Sequence, residues 1–388
     1  MPLLGLILRT LLLVPRIVTP FWCLGLCLVT LGSRSVGGVT KWSVNSARRN
    51  LVLSCLVLSA ALYAPQVRAA CTALNASDSL PQTIAPEQCF ELQGGNVLSG
   101  HYQVAGQLFL KAGRTATLAA GSSITVAPGG LLEPRGQLEL KPNAQIVVQG
   151  KLNNSGLLYC TSPSALQAQD NATLRNIGRL VLTPGAYVRL AGHSTLSTSG
   201  ILTLNNALLT VTDAAAVTNQ GTIQTEQQAL LNFQGNSTFT NRGSLELNPY
   251  ASLAFKEHSH FTNKNTFSPR GTITMSEAAL WHNDALVKQA PESKLTVGDH
   301  AQIRSEHTIE LSGTMTLSQS ARFLNQGTLS LTANAFLSAR DYAVLINEGT
   351  LRNDDAQLQL EQAGNFVNQN IISGQQSRER IKAQQKHH

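Results

Sequence analysis

Charge and aromatic rings are both scarce in this chain. Of its 388 residues, 13% are charged and 5% are Phe, Trp or Tyr. So little Glu and Lys argues against a mainly helical protein. Asn, Gln, Ser, Thr, Gly and Leu dominate instead, which suits short strands and turns. Charge of one sign is scarce too, despite a formal net charge of +7. Arg9, Arg16, Arg34, Lys41, Arg48, Arg49 and Arg68 are the only charged residues in 1–70 and account for all of that excess. From residue 71 onward the 22 acidic residues are balanced by as many basic ones, which excludes a nucleic-acid footprint. Cysteine is sparse, six in all, and no zinc-type spacing occurs. No phosphate loop or Ser/His/Asp set is recognisable, so no cofactor and no catalytic residue is implied.

What the chain has in abundance is one repeated unit. Phe323-Leu-Asn-Gln-Gly-Thr-Leu-Ser-Leu331 recurs in imperfect copies, with Gly327 as reference. Equivalent positions are Gly156, Gly178, Gly200, Gly221, Gly243, Asn265, Ala285, His307, Gly349 and Asn370, spaced 20 to 22 residues apart. Four residues before and two residues after each reference the side chain is always apolar. Two residues before it, Asn recurs as Asn154, Asn176, Asn219, Asn241, Asn263, Asn283, Asn325, Asn347 and Asn368, with Thr198 and Ser305 as exceptions. A period of this size over so many copies means a solenoid.

Each copy divides into three short alternating pieces, as half-buried strands do. In the copy starting at Gly327 they are Thr328–Leu331, 335–338 and 343–346. The fold expected is therefore all-β: a single-stranded right-handed parallel β-helix of about 11–13 coils. Like positions stack in such a helix. The Asn column is expected to form an inward ladder of amides, because buried polar groups must be paired. Phe239, Phe261 and Trp281 should form an aromatic run in the interior. At the reference position Gly and Asn predominate, which points to a left-handed turn residue.

Residues 1–70 read as a leader. Arg48-Arg49, the apolar run 51–63 and Val67-Arg68-Ala69 have the layout of a secretory signal peptide cut after Ala69 or Ala70. Acylation of Cys71 is the lipid-anchored alternative. Residues 1–38 fit either an over-extended reading frame, with translation starting near Val39, or a long leader. Residues 71–104 lie outside the repeat register and are expected to cap the solenoid, since a first coil otherwise exposes a strand edge. A Cys71–Cys89 disulfide would stabilise that cap by roughly 3 kcal/mol. The solenoid is expected over 105–374 and a polar basic tail over 375–388.

The Phe/Leu-x-Asn-x-Gly-Thr-Leu-x-Leu pattern resembles the right-handed parallel β-helix of filamentous-haemagglutinin-like adhesins and autotransporter passenger domains, over roughly residues 105–374. The resemblance implies an exported, non-catalytic adhesin or surface scaffold with a glycan or a host or matrix protein as ligand. No run of amphipathic strands suited to a translocator barrel follows. The Asn-Pro-Asn-Gly motifs of two-partner secretion domains are absent, Asn248-Pro-Tyr being nearest. Surface delivery would thus need a separate secretion partner; a periplasmic location is the alternative. The last coil has no evident cap, which leaves room for end-to-end self-association or for the chain being a fragment of a larger adhesin.

The competing class is a polysaccharide-processing, pectin-lyase-like enzyme, which needs clustered acids and bases. Asp354-Asp355 and Arg380-Ile-Lys382 match two pieces of a polygalacturonase-like pattern, but its other motifs are missing. His258 and His260 would share a face if Lys256–His260 were a strand, yet no further ligand aligns with them. His307 reads as a turn residue, and Cys160, in the column of Leu182 and Leu204, as a buried inert thiol.

Overall fold

The computed structural model describes residues 70–361 and 365–373. The leader and the basic tail lie outside these residues. Everything described falls in the unit Ala69–His388 and forms one parallel β-helix. Three strands per coil feed three walls: sheet A of 15 strands, sheet B of 14, and sheet C in two parts of eight and five strands. All pairings are parallel, and the crossovers take the right-handed sense that twisted strands favour. Fifteen strands about 4.8 Å apart make a stack on the order of 70 Å long.

The coil starting at Gly327 has strands Thr328–Leu331 in sheet C, Phe336–Ala339 in sheet B and Val344–Asn347 in sheet A. The second and third begin one residue later than the alternation predicts. Burial alternates along nearly every strand, as in iBiB for Thr328–Leu331, so apolar residues fill the lumen and polar ones face out.

The coils start earlier than the sequence reading places them. Thr72–Leu74 pairs with Cys89–Leu92, and that strand with Gln107–Leu110, all within sheet A. Residues 71–104 therefore already belong to the stack, which exceeds the expected 11–13 coils. Their irregular turn lengths hide the period. Cys71 and Cys89 are joined in a disulfide, Cα–Cα 4.6 Å, which ties the first strand of sheet A to the second.

The Asn column turns inward where sheet A meets sheet C. Asn154 Nδ2 donates to Asn176 Oδ1 (2.8 Å) and to the Arg179 carbonyl (2.8 Å). Asn219, Asn241, Asn263 and Asn283 continue the pattern at 2.8–3.0 Å, and Asn325, Asn347 and Asn368 at 2.7 Å. Thr198 and Ser305 end two runs as acceptors, from Asn176 (3.0 Å) and Asn283 (3.1 Å). The Oδ1 atoms of Asn154, Asn219 and Asn325 have no partner. Each heads a run, following Pro134, Thr198 or Ser305 in the coil before.

The glycine column has a different cause from the one the sequence suggests. None of Gly156, Gly178, Gly200, Gly221, Gly243, Gly327 and Gly349 has a positive φ. A Cβ on any of them would instead lie 2.0–2.2 Å from a carbonyl oxygen of the preceding coil. Glycine is required there by the closeness of stacked turns. The left-handed residues other than glycine sit at the two other corners, above all between sheets B and A. There Asp170, Asp213, Glu257, Glu277, Asp299, Gln319 and Asp341 take positive φ. Several of these side chains accept the turn N–H of the coil before, as Asp213 does from Gly192 (2.8 Å) and Asp341 from Gln319 (2.9 Å).

The interior aromatic run is present, Phe239 to Phe261 at 5.2 Å and Phe261 to Trp281 at 5.3 Å between ring centroids. Phe233 and Phe255 of sheet B stack against it at 5.1 Å. Cys160 pairs in register with Leu182 and is fully buried. Burial pushes its thiol up to about 12, against a smaller opposing effect of the Ser164 hydroxyl. The folded chain thus keeps the proton that the unfolded chain releases above pH 9. Stability from this group is present below that value and declines as pH climbs towards about 12. Iodoacetamide at pH 8 should leave Cys160 unmodified in the native protein and label it rapidly in denaturant, as peptide mass spectrometry would read out.

Candidate functional site

Among the described residues, the wall opens in sheet C, between its two parts. Ser244–Glu246 is the last strand of the first part and Val287–Gln289 the first of the second. Between them only Phe267 bridges, to Leu245 and Val287. Pro269 follows two residues on and has no N–H to donate, so a regular strand cannot continue. Asn265 and Ala285, where the glycine column takes side chains, flank this interruption.

The gap leaves an outer cleft of about 520 Å³. Leu245 and Leu247, both buried, help line it, as do Thr225, Ser244, Glu246, Asn248, Asn265, Thr266, Ser268 and Arg270. Local bonds fix much of this lining. Asn265 Nδ2 donates to the Gly243 carbonyl (3.1 Å), and the Asn248 N–H to Thr225 Oγ1 (2.9 Å). Asn248 Oδ1 accepts from the Tyr250 and Ala251 N–H groups (2.8 and 3.2 Å), while its Nδ2, shielded from solvent, has no partner. Tyr250 is 76% exposed. Arg270 Nε donates to Glu292 Oε1 at 2.7 Å, and this bond holds the Glu292 carboxyl below its usual range.

Of the residues singled out from sequence, Asn265 of the reference column and Asn248 line this cleft, whereas no candidate site residue does. The ladder asparagines, buried except for Asn368, line the inner side of sheet A, and Cys71–Cys89 sits at the first coil. His258 falls on a turn, since the flanking strands are Ser252–Phe255 and His260–Asn263; the strand that would have paired it with His260 does not exist. His307 Nδ1 accepts the Thr308 N–H at 2.8 Å, consistent with a turn role. Asp354 pairs with Arg352 (2.9 Å) and Asp355 is a left-handed turn residue, while Arg380 and Lys382 lie outside the described residues. The signal available for the cleft was Asn248-Pro249 followed one coil later by Pro269, two breaks at the same corner.

His260 meets another histidine on the outer face of sheet A. The two strands pair Thr262 with His282, and burial together with the nearby His282 lowers the affinity of His260 for a proton. His282 Nε2 lies 2.9 Å from Asp284 Oδ1 and 3.2 Å from Glu306 Oε1.

No curated protein and no solved structure matches this chain. Residues 185–385 match the family model described as the BigA third pectate lyase-like domain. That stretch includes the cleft and the later coils and is more than half of the 388 residues. The chain belongs to this family of pectate lyase-like domains.

Proposed function

We propose that this protein is an exported β-solenoid that works as a surface adhesin or scaffold, holding a glycan or an extracellular protein in the sheet C cleft without turning it over. The chemistry of the cleft carries this reading. Its lining offers hydroxyls, two amides, one guanidinium and a single carboxylate, that of Glu246. The unpartnered Asn248 Nδ2 suits a ligand oxygen. The exposed Tyr250 ring, two residues away in sequence, suits the apolar face of a sugar.

Glycoside cleavage calls for two converging carboxyls, one of them protonated. Glu292 is linked to the cleft through Arg270, and that bond keeps it ionised. Arg270 in turn is engaged rather than free to act as a base. The family description keeps polysaccharide cleavage as the second reading.

Export is part of the proposal. The Cys71 sulfur is committed to a disulfide, which supports an unacylated N-terminus over a lipid anchor. Protease shaving of intact cells, with mass spectrometry of the mature N-terminus, tests location. For the cleft, the protein is screened against polysaccharides and matrix proteins, and the best binder is retested with Arg270→Ala and Glu246→Gln. We expect binding weakened about tenfold or more, with no new reducing ends or unsaturated sugars. Product formation abolished by the same substitutions would establish the enzyme reading instead.

A further inference from the structure

The outward row of sheet A holds a cluster remote in character from the cleft. His282 lies on strand Leu280–Asn283, Asp284 follows it, and Glu306 is the residue stacked on Asp284 one coil later. One ligand atom from each of the three falls within 4.8 Å of the others. His282 Nε2 is screened from solvent and, although 2.9 and 3.2 Å from the two carboxylate oxygens, makes a hydrogen bond to neither. Donors of a tetrahedral site with bonds of about 2.1 Å stand about 3.4 Å apart, close to these separations. The solenoid explains the convergence: coil stacking brings Glu306 beside a His-x-Asp strand end that alone offers two donors.

We propose that His282, Asp284 and Glu306 form a site for a divalent transition metal of the zinc class. An imidazole with two carboxylates favours such ions over calcium or magnesium, which take oxygen ligands throughout. Two cations compete for the site. Lys264 Nζ stands 3.4 Å from Asp284 Oδ2, and Arg304 Nη2 is 2.9 Å from Glu306 Oε1, the oxygen that faces His282. Arg304 already reaches Gln326 Oε1 through Nε at 2.9 Å, so it keeps a partner when Glu306 turns to the metal. Three protein ligands leave a coordination position open, through which a bound ion would take a donor from water or from a ligand on the outer wall.

The test is calorimetric titration of metal-free full-length protein with zinc chloride, with calcium chloride in parallel. We expect saturable zinc binding and none for calcium at the same concentrations. His282→Ala and Glu306→Gln should each weaken binding at least about tenfold, with the thermal melt unchanged. Arg304→Ala should strengthen it, because a competing cation is removed; an incidental surface histidine would not respond in that way. Absence of zinc binding, or zinc binding that survives His282→Ala, overturns the proposal.

Discussion

Gly200→Ala should destabilise the solenoid more than any other single methyl addition at its surface, by about 3 kcal/mol or more. The new Cβ would lie 2.0 Å from the Gly178 oxygen and 2.2 Å from that of Ile177. The Gly178 carbonyl cannot swing aside without loss, because it accepts the Ile201 N–H at 2.9 Å. Relief therefore requires neighbouring coils to separate, which breaks pairing on more than one wall. Gly121→Asn is the control. Gly121 has φ +70° and nothing within 4 Å of its Cβ direction, so Asn there should cost about 1 kcal/mol or less. Urea unfolding of the two variants separates close stacking from left-handed geometry; equal losses would refute the stacking account.

Asn241→Ala is expected to cost about 2–4 kcal/mol. Asn241 stands mid-run, accepting from Asn219 at 2.8 Å and donating to Asn263 at 3.0 Å. Its loss leaves Asn263 Oδ1 without its donor in a fully buried column, where an unpaired acceptor keeps its whole desolvation penalty. Asn219 retains the Ser244 carbonyl (2.7 Å), which limits the damage. In a solenoid the effect is felt by neighbouring coils first. Hydrogen exchange should show lost protection around residues 216–263 while the first coils stay protected. Thr198→Asn makes the opposite case. An amide at 198 would still accept from Asn176 and could also donate to the vacant Asn219 Oδ1, merging two runs and adding about 1 kcal/mol. A lower midpoint for Thr198→Asn would show that the hydroxyls at the breaks are there for packing.

The architecture was legible from the repeat alone, because in a stacked fold each lumen position is answered by its equivalent one coil away. Asn241 meets Asn263, and Phe239 meets Phe261, so the period alone states the contact. Cys160 was legible for the same reason, facing Leu182. The first coils escaped because their strands begin at Thr72, Cys89, Gln107 and Leu131, without the regular turns that display a period. The glycine column was visible while its cause was not. Composition cannot distinguish a left-handed turn from a backbone approach of 2 Å; only the stacked carbonyls decide that. The outer features belong to the tertiary structure, apart from the Pro249 and Pro269 breaks that mark one corner of the cleft. A cleft appears where Pro269 and the lone Phe267 bridge interrupt a wall, and His282, Asp284 and Glu306 converge through side chains on the face that the lumen pattern leaves free. Inward residues must satisfy packing and pairing in every coil, so they repeat. Outward residues answer only to solvent or a ligand, and no period records where they meet.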